Sequence, residues 1–174
     1  SQLYEKFILL ASKIININSN EILLNQTAFY ANSGGQPGDT GTLSINEKNI
    51  NIIDTIYDQK KNITHITDDN KLRFEIDQKI YGKIHWDKRY KHMRMHSALH
   101  LLCSIISADV TGGQISYDKS RLDFNIQDKK IVKEYIEEKI NELVKEDHEI
   151  TYKWITNDEL DKQPDLVRTM SVKP

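Results

Sequence analysis

At 174 residues, with 38% hydrophobic residues, 29% charged residues and a formal net charge of −2, the chain has room for one sizeable core or two small ones and exerts no global pull on nucleic acid. It holds no apolar run of the roughly 18 residues that a membrane helix needs, and residues 1–5 lack the basic and apolar stretches that open a signal peptide. The lone cysteine, Cys103, excludes an internal disulfide and fits a reducing cytoplasm.

Residues 3–82 read mostly as β structure. Ile14-Ile15-Asn16-Ile17 and Glu21-Ile22-Leu23-Leu24 are short apolar runs parted by Asn18-Ser19-Asn20, the pattern of a hairpin. Residues 42–45 alternate, Asn46-Glu47-Lys48 turns, and residues 49–54 alternate again. Two further strands are predicted at 63–66 and 72–76. Many short strands joined by turns predict a small barrel or sandwich.

The spacing changes after Gly82. Asp87 suits an N-cap, and the chain beyond it predicts a helix to about Ala108, stopped by Gly112-Gly113. Residues 122–126 alternate as a strand. A second helix is predicted over 129–147, with Val132, Ile136, Ile140, Leu143 and Val144 on one stripe. Residues 150–155 predict a strand, and Asn157 caps a short helix through Leu160. The class is α+β, with a boundary between Gly82 and Asp87 and two longer helices against a sheet in the second half.

Three features carry chemistry. The first is His92-Met93-Arg94-Met95-His96-Ser97-Ala98-Leu99-His100, in which His96 and His100 stand one helical turn apart on one face and can converge on a metal ion. Leu101 and Ile105 point nearly opposite and mark the expected buried stripe. His92 extends the ladder, but its Cα would lie about 12 Å from that of His100, too far for one tetrahedral ion on a straight helix. Cys103 falls near the same face and reads as a small buried hydrophobe rather than a third ligand. Ser97 stands where a zinc protease of the His-Glu-x-x-His type needs its glutamate, which argues against proteolysis.

The second feature is Ser33-Gly34-Gly35-Gln36-Pro37-Gly38-Asp39-Thr40-Gly41. It has neither the ending of a phosphate loop nor Rossmann spacing; its glycines suit a barrel corner or close approach of a ligand, and the Gln36 amide could be aimed at a substrate. The third is a basic segment in which Lys83, Lys88, Arg89, Lys91 and Arg94 face only Asp87, with Trp86 and Tyr90 interleaved. That mix can contact phosphates and stack on bases, although a solvated helix start is the plainer reading.

These features fit one family. The chain resembles the alanyl-tRNA editing proteins, freestanding relatives of the alanyl-tRNA synthetase editing domain, through Asn25-Gln26-Thr27-Ala28-Phe29-Tyr30, the glycine motif, Trp86-Asp87-Lys88-Arg89-Tyr90 and the histidine segment. The likeness continues through Val110-Thr111-Gly112-Gly113-Gln114, Arg121-Leu122-Asp123-Phe124 and the closing Pro164-Asp165-Leu166-Val167-Arg168-Thr169-Met170-Ser171-Val172-Lys173-Pro174. The editing domain of threonyl-tRNA synthetase shares the histidine pair but lacks the glycine module.

The resemblance implies a small β-barrel glycine-motif domain over 1–84 and an α/β zinc-binding editing domain over 85–174. It implies a hydrolase that removes a wrong amino acid, mainly serine and also glycine, from tRNA(Ala) in the cytoplasm, without ATP. Zinc in that family is held by His-x-x-x-His and a later Cys-x-x-x-His; His96 and His100 match the first pair and take metal and catalytic roles. Thr27 matches a threonine that hydrogen-bonds the serine hydroxyl, a substrate-binding role, and Gln36 matches a pocket glutamine with substrate-binding and catalytic roles. Lys83, Lys88, Arg89, Lys91 and Arg94 then become RNA contacts.

The family pattern runs past Pro174 into the Cys-x-x-x-His element, and Cys103 is not part of it. The expectation is therefore a chain truncated at its C-terminus, with a half-complete zinc site that is weak or empty. A catalytically incomplete tRNA-binding module and an editing hydrolase for another aminoacyl-tRNA are the alternatives.

Overall fold

The computed structural model describes residues 9–46, 48–69, 74–126, 131–151, 153–163 and 166. The fold is α+β, as expected. Six strands, β1 (Leu9–Asn18), β2 (Glu21–Leu24), β3 (Gly41–Ile45), β4 (Lys48–Tyr57), β5 (Ile63–Thr67) and β6 (Lys79–Ile84), close into an antiparallel barrel in the order β1-β2-β5-β4-β3-β6. Closure pairs every strand on both sides and leaves no open edge.

Period-2 patterning makes the barrel wall. In β6 the buried Ile80, Gly82 and Ile84 alternate with the exposed Lys79, Tyr81 and Lys83, and in β3 Leu43 and Ile45 point inward. Ile14, Ile22, Leu24, Phe29, Ile50 and Ile52 complete the core. A register shift between Ile52 and Asp54 on β4 changes the alternation, so that Thr55 rather than Asp54 is the next fully buried position after Ile52.

The hairpins at 18–20 and 46–48 stand where the sequence placed them, with Ser19 and Asn46 at positive φ. The strand expected at 72–76 does not form over its described part, 74–76. Phe74 packs against the core from an irregular segment, and Ile76 enters a turn with Asp77 at φ 68°. Barrel closure uses β6 instead, whose alternation the chain-order reading leaves out.

The long helix α1 (Trp86–Ile105) starts one residue before Asp87, which therefore sits in the first turn rather than at the cap. Its one fully buried residue is His92; Leu101 and Ile105, expected to be buried, are only half-buried. Gly112-Gly113 does not stop α1. Both glycines lie in β7 (Asp109–Gln114), paired with β8 (Arg121–Asn125) in a two-stranded ribbon with a register shift between Val110 and Gly112.

The helix expected over 129–147 is α2 (Lys133–Glu146), with Val132 at its N-cap and no fully buried residue. No strand forms over the described residues of 150–155, where Ile150 is 80% and Trp154 97% exposed; alternation without a partner strand or a surface to cover does not hold an extended segment. The short helix α3 (Asn157–Asp161) is capped by Thr156, not Asn157. Its capping box is reciprocal: the Glu159 N–H donates to Thr156 Oγ1 at 3.2 Å, and the Thr156 N–H donates to Glu159 Oε2 at 2.8 Å.

Two compact units result, Ser1–Met93 with Ser116–Asp118, and Arg94–Ile115 with Lys119–Pro174. The first holds the barrel and the start of α1; the second holds the rest of α1, the ribbon, α2 and α3.

Candidate functional site

The glycine motif begins as a tight reversal. Ser33 and Gln36 exchange backbone hydrogen bonds at 3.1 and 2.9 Å across Gly34 (φ 55°) and Gly35 (φ 77°), angles that glycine adopts without penalty. Gln36 is thereby fixed on a rigid turn, with 3% of its surface exposed. The next glycine serves close approach, since a Cβ on Gly38 would stand 2.1 Å from the Thr55 carbonyl oxygen.

Behind this turn, Asp39 is buried and answers Arg89 of α1. The Arg89 Nε donates to both Asp39 carboxylate oxygens at 2.8 Å, Nη2 donates to Oδ2, and Nη2 also donates to the Ala28 carbonyl at 2.9 Å. Asp39 Oδ2 accepts the Tyr30 N–H at 2.8 Å, and the Tyr30 ring lies 5.4 Å beneath the guanidinium. Such a fork-on-carboxylate contact binds the helix start to the motif. Arg89 was expected to contact RNA; its side chain is only 16% exposed and is engaged in holding the fold.

Thr27 is half-buried in the segment between β2 and the turn. Its Oγ1 lies 2.8 Å from Nε2 of His65 on β5 and accepts the Phe29 N–H at 3.1 Å. His65 is fully buried, with Nδ1 3.0 Å from the Ile22 carbonyl oxygen and its ring edge-on to Phe29 at 5.1 Å. Burial pushes its pKa down to about 4, against a smaller upward pull from the Ile22 carbonyl, so the ring is neutral at pH 7. The sequence reading missed His65, because 38 residues separate it from Thr27; a histidine between the buried threonines Thr64 and Thr67 of a strand was the only local signal.

On α1 the two imidazoles of His96 and His100 stack at 5.0 Å between centroids and 15° between planes. His96 is half-buried and His100 exposed. The His96 pKa is lowered first by burial and then by the neighbouring His100, which favours the neutral form that ligates metal. Nitrogen donors one turn apart suit half of a tetrahedral site, yet no group of three or more His, Cys, Asp or Glu side chains gathers among the described residues. Cys103 is half-buried.

His92, one turn before His96, is 2% exposed, with its ring 6.4 Å from Tyr117 and its Nδ1 without a hydrogen-bond partner. Desolvation, then Lys88, lowers its pKa.

Of the expected RNA contacts, Lys83, Lys91 and Arg94 are exposed and Lys88 is half-buried. Trp86 and Tyr90 stack at 6.1 Å with 24° between ring planes, and Lys91 Nζ lies 5.6 Å from the Tyr117 centroid. No described helix is long and apolar enough to cross a membrane.

Comparison with known proteins places this geometry in context. The family model of class II (A) tRNA synthetases matches residues 5–88. The chain is 33% identical over 168 residues to the alanyl-tRNA editing protein AlaX-M of Saccharolobus solfataricus, covering 93% of this chain and 70% of that protein. It is 36% identical over 163 residues to the AlaX-M protein of Methanosarcina mazei, covering 86% of this chain and 64% of that protein. Against the alanine–tRNA ligase of Pyrococcus abyssi the identity is 31% over 162 residues, 87% of this chain but 17% of the ligase.

Proposed function

The chain belongs to the alanyl-tRNA editing proteins, and from that premise we propose that it hydrolyses the ester joining a wrong amino acid, chiefly serine and also glycine, to tRNA(Ala) in the cytoplasm, without ATP. A water oxygen adds to the ester carbonyl carbon, the bond to the ribose oxygen breaks, and that oxygen takes the proton. Free amino acid and uncharged tRNA(Ala) are the products. The aminoacyl ester is already activated, so positioning and charge stabilisation matter more than a strong nucleophile.

The observation that carries this reading is the Thr27 hydroxyl, held 2.8 Å from a buried neutral histidine beside the glycine motif. A fixed hydroxyl rewards the serine side chain, and alanine offers nothing in return. Sites that hydrogen-bond a substrate hydroxyl discriminate far better than apolar pockets do. Gln36, on its rigid turn, is assigned to the wall of the same pocket. Lys83, Lys88, Lys91 and Arg94, with the Trp86–Tyr90 stack, are assigned to the tRNA.

His96 and His100 are assigned as two zinc ligands. Zinc bound there would supply a fixed positive charge that orients the substrate and polarises its carbonyl. The test is Thr27→Val in the full chain: serine release should fall at least tenfold with tRNA binding intact, and undiminished release would overturn the pocket assignment.

A further inference from the structure

The hydrogen bonds around Thr27 fix more than its position. The Ile22 carbonyl can only accept, so the His65 Nδ1 that lies 3.0 Å from it carries the ring proton. In a neutral imidazole the other nitrogen, Nε2, then presents a lone pair. The Thr27 hydroxyl, 2.8 Å away, must donate to it. A threonine hydroxyl has one hydrogen and two lone pairs, and the Phe29 N–H, at 3.1 Å, occupies one lone pair. A single acceptor site is left on Thr27 Oγ1, and no donor.

We propose that His65 is a positioning residue that sets the polarity of the Thr27 hydroxyl, so that the pocket accepts a hydrogen bond and selects an amino acid whose small side chain donates one. This rests on the reading that Thr27 faces the substrate side chain. The serine O–H satisfies the remaining lone pair. Alanine and glycine carry no side-chain donor, and a side chain that can only accept meets a lone pair and is repelled. Without His65 the Thr27 hydrogen is free to rotate toward the substrate or toward other acceptors, and the polarity of the site is no longer set.

Two amide substitutions separate this role from a merely structural one. In His65→Asn the shorter amide reaches the place of Nδ1, keeping a donor for the Ile22 carbonyl and losing the acceptor for Thr27. In His65→Gln the longer amide reaches the place of Nε2 and does the reverse. The readout is the serine-over-alanine ratio of kcat/KM on charged tRNA(Ala), with the glycyl ester as the control without a side-chain donor. His65→Asn should lower the serine ratio about tenfold while leaving glycyl hydrolysis unchanged, and His65→Gln should keep most of the preference.

A serine ratio unchanged in His65→Asn, while Thr27→Val destroys it, overturns the proposal alone. A ratio unchanged in Thr27→Val as well overturns the pocket assignment and the proposal together. If neither His65 variant folds, the nitrogen-15 spectrum of the unsubstituted protein decides: protonation at Nδ1 of His65 is expected, and protonation at Nε2 overturns the proposal.

Discussion

Arg89 and Asp39, 50 residues apart in the chain, meet in a two-pronged ion pair whose carboxylate is 2% exposed and whose guanidinium is 16% exposed. The pair joins the first turns of α1 to the glycine motif, and the Ala28 carbonyl and Tyr30 N–H complete its hydrogen bonding. Removing one partner leaves the other buried and uncompensated. Arg89→Ala should therefore cost about 3–5 kcal/mol of stability, measurable in denaturant melts. Arg89→Lys should recover little, because an ammonium cannot make the fork. A loss within about 0.5 kcal/mol would show that the pair is not a structural tie.

The exposed cations should behave differently. Lys83→Ala, Lys91→Ala and Arg94→Ala should leave the melting profile unchanged. Each should weaken tRNA binding and reduce the slope of log affinity against log salt by about 1. Tyr90→Ala should cost about 1–3 kcal/mol of binding if a base stacks on that ring. Unchanged salt slopes in all three cation variants would remove this face from the interface.

The buried His65 ring makes stability depend on pH. An unfolded histidine takes up a proton near its ordinary value of 6.5, whereas the folded ring resists until about 4. Its contribution is thus complete above pH 6.5 and is lost as pH falls toward 4, amounting to about 3 kcal/mol across that window. Melts of the protein and of His65→Gln at pH 7, 5.5 and 4.5 should converge toward low pH. Parallel curves would mean that the ring takes up its proton equally readily in the folded and unfolded states.

Gly38 has no room for a side chain, with the Thr55 carbonyl oxygen 2.1 Å and Asp54 Oδ1 2.4 Å from the place of a Cβ. Gly38→Ala should destabilise the barrel by on the order of 3 kcal/mol through backbone displacement. Folding and stability unchanged by the substitution would show that the motif is looser than this.

What was legible in the sequence was local. Asn18-Ser19-Asn20 and Asn46-Glu47-Lys48 announced their hairpins because turn residues and flanking alternation lie within a few positions of each other. His96 and His100 were legible because helical spacing alone brings them together. The pairs Thr27–His65 and Asp39–Arg89 depend on barrel closure, which no local pattern encodes. Gly112-Gly113 misled because glycine ends helices and also marks bulged strands, and here the bulge prevailed. Residues 150–155 misled because alternation marks a strand only where another strand or a core receives it.

The most direct test of the editing reading is release of serine from Ser-tRNA(Ala) by this protein, with Ala-tRNA(Ala) as control, measured with added zinc and again with a chelator. The account predicts that serine is released at least tenfold faster than alanine and that chelator slows the release. Equal rates on the two esters, or no hydrolysis while tRNA(Ala) remains bound, would contradict it.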